Sequence, residues 1–234
     1  MSLLTHPGAN AKLSKGNGPT FAPYILHLAP AKSSGHNTCP FASKECISLC
    51  LNTAGRANIF PTILEARKRK TRELFSDRNN FLVRLKHEIQ LAIRRERKKG
   101  RIAVFRLNGT SDLDFMEIVS AFPDTQFYDY TKNVQVYHRF LLGLLPGNYY
   151  LTFSFDGHNA EMCKSFLRRG GTVAVGFAWP IGKKYTMPSK WERFSTIDGD
   201  VSDLRFLDKP GKVVALKAKG RARKNSRNPF VVGS

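Results

Sequence analysis

Three cysteines, Cys39, Cys46 and Cys50, fall in one short stretch with the spacing C-x6-C-x3-C. If the chain from Cys46 to Cys50 is helical, the i,i+4 spacing puts both thiols on one helix face. Cys39 then folds back from the loop, with Pro40 stiffening the turn. Three convergent thiols suit an iron–sulfur cluster, and a [4Fe-4S] cubane with one open iron is the leading expectation. A zinc ion is the alternative, with His36 as a further ligand, although zinc knuckles usually pair cysteines two to four residues apart. Unliganded cysteines also pack as small apolar side chains, but the polar, Gly-containing surroundings argue against that here. The fourth cysteine, Cys163, sits well down a helical segment and is expected in the core rather than at the cluster.

A second group of polar residues recurs after each apolar, strand-like run. Ile102–Leu107 leads into Asn108-Gly-Thr-Ser-Asp112, Gln126–Tyr130 into Thr131-Lys-Asn133, and Tyr149–Ser154 into Phe155-Asp-Gly157. Asp198-Gly-Asp-Val-Ser-Asp203 follows later. Singly, each could be a turn or a helix cap. Together they occupy the position where parallel α/β folds build active sites. Lys132, Asp112, Tyr130 and Asp200 are the candidate catalytic residues, and Asn108, Ser111 and Arg106 the candidates for binding a cofactor. Lys132 would serve as a point charge for an anion, or as a Schiff-base nucleophile if its pKa is depressed. Arg106 lies inside a strand, where its charge needs Asp112, Asp129 or a ligand carboxylate. Asp198, Asp200 and Asp203 could hold a divalent metal for phosphodiester hydrolysis, or form a turn with an Asp–Arg205 pair. Gly55-Arg56 is a weak phosphate motif.

The elements that must position these residues alternate. Tyr24–Pro30 reads as a strand, and residues 31–56 as the cysteine loop. Residues 60–99 read as two helices divided at Ser76–Asn80. Strands at 102–107, 126–130, 149–154 and 172–177 interleave with helices at 113–121, 134–142 and 159–168. Leu204–Phe206 and Val213–Leu216 are short strand candidates. This rhythm predicts parallel β/α units and a single-domain, partial TIM-like (β/α)6 barrel over 21–216, with a doubly wound sheet as the alternative. Residues 1–20 read as an extended arm and 217–234 as a mobile basic tail.

The chain has 234 residues, 38 Lys and Arg against 18 Asp and Glu, and a formal charge of +20. That surplus points to an anionic partner, most simply DNA or RNA, contacted by the basic runs at 67–101 and 217–227. No apolar run approaches the roughly 20 residues of a membrane span, so no membrane association is expected. The start, Met1-Ser-Leu-Leu-Thr-His-Pro, has no basic region followed by an apolar one, so no signal peptide is expected.

Three cysteines after the first strand of a six-unit β/α barrel resemble the radical S-adenosylmethionine enzymes. The resemblance implies a [4Fe-4S] cluster on Cys39, Cys46 and Cys50, with S-adenosylmethionine at the fourth iron. The chain departs from that family's C-x3-C-x2-C spacing and lacks its Gly-Gly-Glu stretch at the second strand. A broader likeness covers nearly the whole chain. Asn37-Thr-Cys-Pro through Cys50-Leu-Asn-Thr-Ala-Gly-Arg56, Arg106–Asp112, Tyr128–Asn133 and Asp198–Asp203, in that order, resemble the bacteriophage gene-product-88-like family. This implies phage origin and action in the host cytoplasm. The reading that joins these features is an iron–sulfur enzyme acting on nucleic acid or a nucleotide. The alternatives are a non-catalytic iron–sulfur or zinc protein that binds nucleic acid, and a metal-dependent nuclease.

Overall fold

The computed structural model describes residues 2–9, 19–50, 59–179, 186–225 and 227–233. Among the described residues there are seven helices and ten strands, the strands forming one mixed sheet. The strands are β1 (Leu4–Thr5), β2 (Phe21–Leu26), β3 (Ile102–Arg106), β4 (Phe127–Thr131), β5 (Tyr149–Ser154), β6 (Val173–Phe177), β7 (Lys190–Trp191), β8 (Phe194–Asp198), β9 (Val213–Lys217) and β10 (Val231–Val232). The helices are α1 (Lys44–Ser48), α2 (Pro61–Ser76), α3 (Arg78–Arg97), α4 (Met116–Ala121), α5 (Val134–Leu141), α6 (Ala160–Arg168) and α7 (Arg221–Lys224).

The sheet order is β1-β2-β3-β4-β5-β6-β9-β8-β7, with β10 also on β6. From β2 to β6 each strand lies parallel to the one before it, without the reversal of order that a doubly wound sheet requires. Consecutive parallel pairing places all the carboxyl ends together. The apolar residues on the helix side, among them Tyr24, Phe105, Phe127, Leu151, Phe153 and Val175, pack with Leu85, Ile89, Tyr137 and Phe166 into the main core. A smaller cluster of Val104, Tyr128 and Leu204 covers other strand positions. The alternation along β3 and β4 thus sends successive side chains to opposite faces, as strand geometry requires.

Local chemistry fixes the helix ends. Pro61 opens α2, where a missing N–H costs nothing. The Asp77 carboxylate caps α3 by accepting from the Asn80 N–H at 3.0 Å, so 76–80 does divide two helices. Asn133 caps α5 through Gln135 and Val136. Glu96, 1% exposed near the end of α3, accepts from the Tyr24 hydroxyl at 2.7 Å and from Arg101 Nε at 2.7 Å, which ties α3 to β2 and the start of β3.

Several expectations change. Leu3 and Leu4 are buried, with β1 pairing antiparallel to β2, so that part of the expected arm belongs to the core. The hydrophobic pair supplies the reason. Leu204–Phe206 is not a strand; Arg205–Leu207 forms a 3-10 turn. The expected mobile tail packs back on the fold. Ala218, Ala222 and Val231 are buried, and β10 runs parallel to the end of β6. Small apolar residues between the basic ones give this segment a face that can be covered, which its charge obscured. Finally, α1 ends at Ser48, so Cys46 and Cys50 do not share a helix face; Cys50 follows the C-cap Leu49.

Candidate functional site

The carboxyl ends of β2, β3, β4, β5, β6 and β9 surround a cavity of about 240 Å³. Cys39, Cys46 and Cys50 line it from the loop after β2. Arg106, Asn108, Ser111 and Asp112 come from β3 and its loop, and Tyr130 and Lys132 from the end of β4. Phe155, Gly176, Leu216 and Phe230 add an apolar wall. Nearly all the sequence candidates therefore converge. Asp200 is the exception and does not line the cavity.

The cysteine loop is pinned at both ends. The Thr38 hydroxyl donates to Ala29 O at 2.6 Å, and Thr38 O accepts from Asp112 N at 2.8 Å. Ser43 caps α1 through Cys46 N at 3.1 Å, and its hydroxyl donates to Asp156 O at 2.9 Å, after β5. The Cys39 sulfur accepts from Ala31 N at 3.4 Å and lies 3.6 Å from Thr110 O. Burial pushes the Cys39 thiol above its ordinary range. All three cysteines are half-buried, whereas Cys163 is fully buried on α6, where burial pushes its thiol up to about 12. His36 stacks on Phe75 with ring centroids 4.4 Å apart and does not line the cavity.

Lys132 stands beside the thiols. Burial pulls its pKa down, but Cys46 and Asp112 outweigh that, and the net shift is upward. Cys46 is also its hydrogen-bond partner. Lys132 is therefore held as an ammonium, and the depressed pKa of a Schiff-base nucleophile is not found. Asp112 accepts from the Thr131 hydroxyl and from Lys132 N, both at 2.9 Å, so its carboxylate joins the ends of β3 and β4. Asn108 and Ser111 likewise face the cavity while holding their own loop. Ser111 Oγ and Leu113 N both donate to Asn108 Oδ1, at 2.8 and 2.9 Å.

The strand end also holds a residue that the sequence reading mentioned only as a partner. Asp129, 1% exposed, accepts from Asn108 N at 2.7 Å and from the Tyr149 hydroxyl at 3.0 Å. Burial raises its pKa to about 7, against the opposing pull of Arg106. An acid at an inward strand position was the available signal. Tyr149 carried none, because a tyrosine in a strand is ordinary.

Arg106 packs its guanidinium over the Tyr130 ring at 4.5 Å and reaches Asp203 from Nη1 at 3.4 Å. Burial pushes the Tyr130 hydroxyl up to about 12. Arg205 pairs with Asp208 at 3.2 Å. Asp200 accepts from Lys217 N at 2.9 Å and pairs with Lys219 at 2.5 Å, stitching the loop after β8 to the end of β9. Asp198 Oδ1 accepts from Asp200 N at 2.9 Å, Asp200 pairs with Lys219 and Asp203 with Arg106. Among the described residues no three His, Cys, Asp or Glu side chains are gathered to hold a single metal ion. Gly55 and Arg56 lie outside the described residues.

The profile of the gene product 88 family matches residues 2–230, almost the whole chain. The chain belongs to that family. No curated protein and no solved structure matches it. In this gene product 88 member, no helix among the described residues is long and apolar enough to cross a membrane.

Proposed function

We propose that the cavity at the strand ends holds a [4Fe-4S] cluster on Cys39, Cys46 and Cys50, in a phage enzyme that resembles the radical S-adenosylmethionine proteins and acts on nucleic acid or a nucleotide. The observation that carries this reading is that three cysteines from one pinned loop line a single cavity at the strand ends. Cysteine thiolates are the donor type that holds iron–sulfur clusters. A cubane binds its three thiolates on different irons, farther apart than three ligands of one ion. A bound cluster would supply one-electron chemistry, and three cysteines would leave one iron open for S-adenosylmethionine or another small ligand.

The chain's own residues have separable tasks in this reading. The Lys132 ammonium offsets the negative charge of the thiolates beside it. Asp112 fixes the Lys132 backbone, and Asn108 fixes the loop that covers Cys39. The sequential parallel order from β2 to β6 supports a sheet that curls toward a partial (β/α)6 barrel around the cavity. Family membership supports a setting in the host cytoplasm.

Anaerobic reconstitution with iron and sulfide tests the assignment. The expected product is brown, with a broad absorption band near ~400 nm from cysteine-ligated iron. Cys39→Ala, Cys46→Ala and Cys50→Ala should each lose most of the iron, and Cys163→Ala should retain it. Full retention in any of the first three overturns the ligand set.

A further inference from the structure

Arg106 is nearly buried and sparsely hydrogen-bonded. Its side chain is 15% exposed. Among the described residues its guanidinium makes one hydrogen bond, the long one to Asp203, and the buried Nε has no acceptor. Leaving such a buried donor unpaired is unfavourable, and more so on a charged group. Nearby, the fully buried Arg205 also has Nε without a hydrogen-bond acceptor, and the Tyr128 hydroxyl beneath has none. The groups share surroundings: Arg106 and Asp203 both act on Tyr128, and Arg106, Asp203 and Arg205 all act on Tyr130.

The cavity wall is basic. Arg106, Lys132, Lys217 and Lys219 line it with the carboxylates of Asp112 and Asp203, and Lys219 is paired with Asp200. Both oxygens of Asp112 already accept from Thr131 and Lys132. Phe155, Leu216 and Phe230 give the wall an apolar part. We propose that this cavity binds a small organic anion, with its carboxylate or phosphate monoester against Arg106 and an aromatic or apolar body against Phe155, Leu216 and Phe230. A planar fork of N–H donors suits both head groups, which accept two parallel hydrogen bonds. The proposal concerns the cavity that the cluster reading uses but needs no cluster.

Metal-free protein prepared with a chelator separates the two ideas. Phenyl phosphate, benzoate and neutral benzyl alcohol are titrated by calorimetry. At least one anion should bind about tenfold or more tightly than the alcohol, and the stronger anion identifies the head group. Arg106→Gln should weaken that anion about tenfold or more. Gly176→Leu provides a second variant that leaves Arg106 intact. A Cβ at Gly176 meets only Phe230 O at 3.9 Å, so the new side chain can grow into the cavity and should displace the ligand. Equal binding of alcohol and anions, no binding of either anion, or unchanged binding in Gly176→Leu would overturn the proposal. Unchanged binding in a folded Arg106→Gln would do so as well.

Discussion

At the scale of single residues, the site is governed by what burial does to charge. Asp129 is the clearest case. Its folded pKa is raised to about 7 from 3.8, mainly by desolvation. The folded state therefore holds a proton that the unfolded chain releases first. The contribution to stability is fully present below the unfolded pKa and is lost as pH rises through the folded one. Between pH 5 and 7.5 this loss is on the order of 2 kcal/mol. Urea midpoints measured across that range should fall more steeply for the native protein than for Asp129→Asn, whose amide cannot ionise. Equal slopes would show that Asp129 does not titrate in this window. Asp208, also raised by burial to about 6, contributes in the same direction in both proteins and cancels in the comparison.

Elements set which of these residues meet. Strand β6 is bordered by β5 along its start, by β10 along its end, and by β9 on its other edge. The insertion of β10 requires Gly157, which sits at φ +102° with the backbone N of Phe230 only 2.8 Å from where a Cβ would be. Gly157→Ala should push Phe230 and β10 away, costing on the order of 1–3 kcal/mol from strain and lost packing. Hydrogen exchange at Ala178, whose N–H donates to Val232 O at 2.8 Å, should accelerate in this variant while β4 amides stay protected. Unchanged protection at Ala178 would remove the glycine from this role.

The same scale explains what could be read from the sequence. The long helices at 61–76 and 78–97 and strands β3 to β6 follow from periodicity, because each buries enough apolar surface to write a clear pattern. Gathering polar residues at strand ends follows from parallel topology, so Cys39, Arg106, Asp112 and Lys132 were legible as neighbours. Strands β1, β7 and β10, each of two residues, write no period. Partner choice was also hidden. Nothing local singles out Asp203, 97 residues further along the chain, as the partner of Arg106, or Asp208 as that of Arg205; the folded positions of β3 and the 3-10 turn bring them together.

For the whole molecule the governing quantity is the charge of +20. The basic run of α2 and α3 is only partly available to a partner. Lys70 is buried and donates to Leu3 O at 2.9 Å, and Lys68 and Arg101 pair with Glu65 and Glu96. Arg72, Arg94, Arg97, Lys98 and Lys99 are exposed, most of them at the end of α3. If this end contacts a nucleic-acid backbone, binding to duplex DNA or single-stranded RNA should weaken steeply with salt through counterion release. Replacing Arg94, Arg97 and Lys98 together with Gln should flatten the salt dependence by about 2–3 log units of affinity per log unit of salt. An absence of binding at low salt would remove nucleic acid as a partner.

The placement of β10 also has a consequence in time. A chain is made from its amino end, and Phe230 and Val231 are the last of the cavity-lining residues to be synthesised. While the ribosome still holds that segment, the cysteine loop and the ends of β2 to β6 can already be outside and folding, with one wall of the cavity absent. The compartment is thus finished from the outside after its interior chemistry is in place. If the cavity takes a bulky inorganic group or an organic ligand, its entrance is widest before β10 pairs with β6.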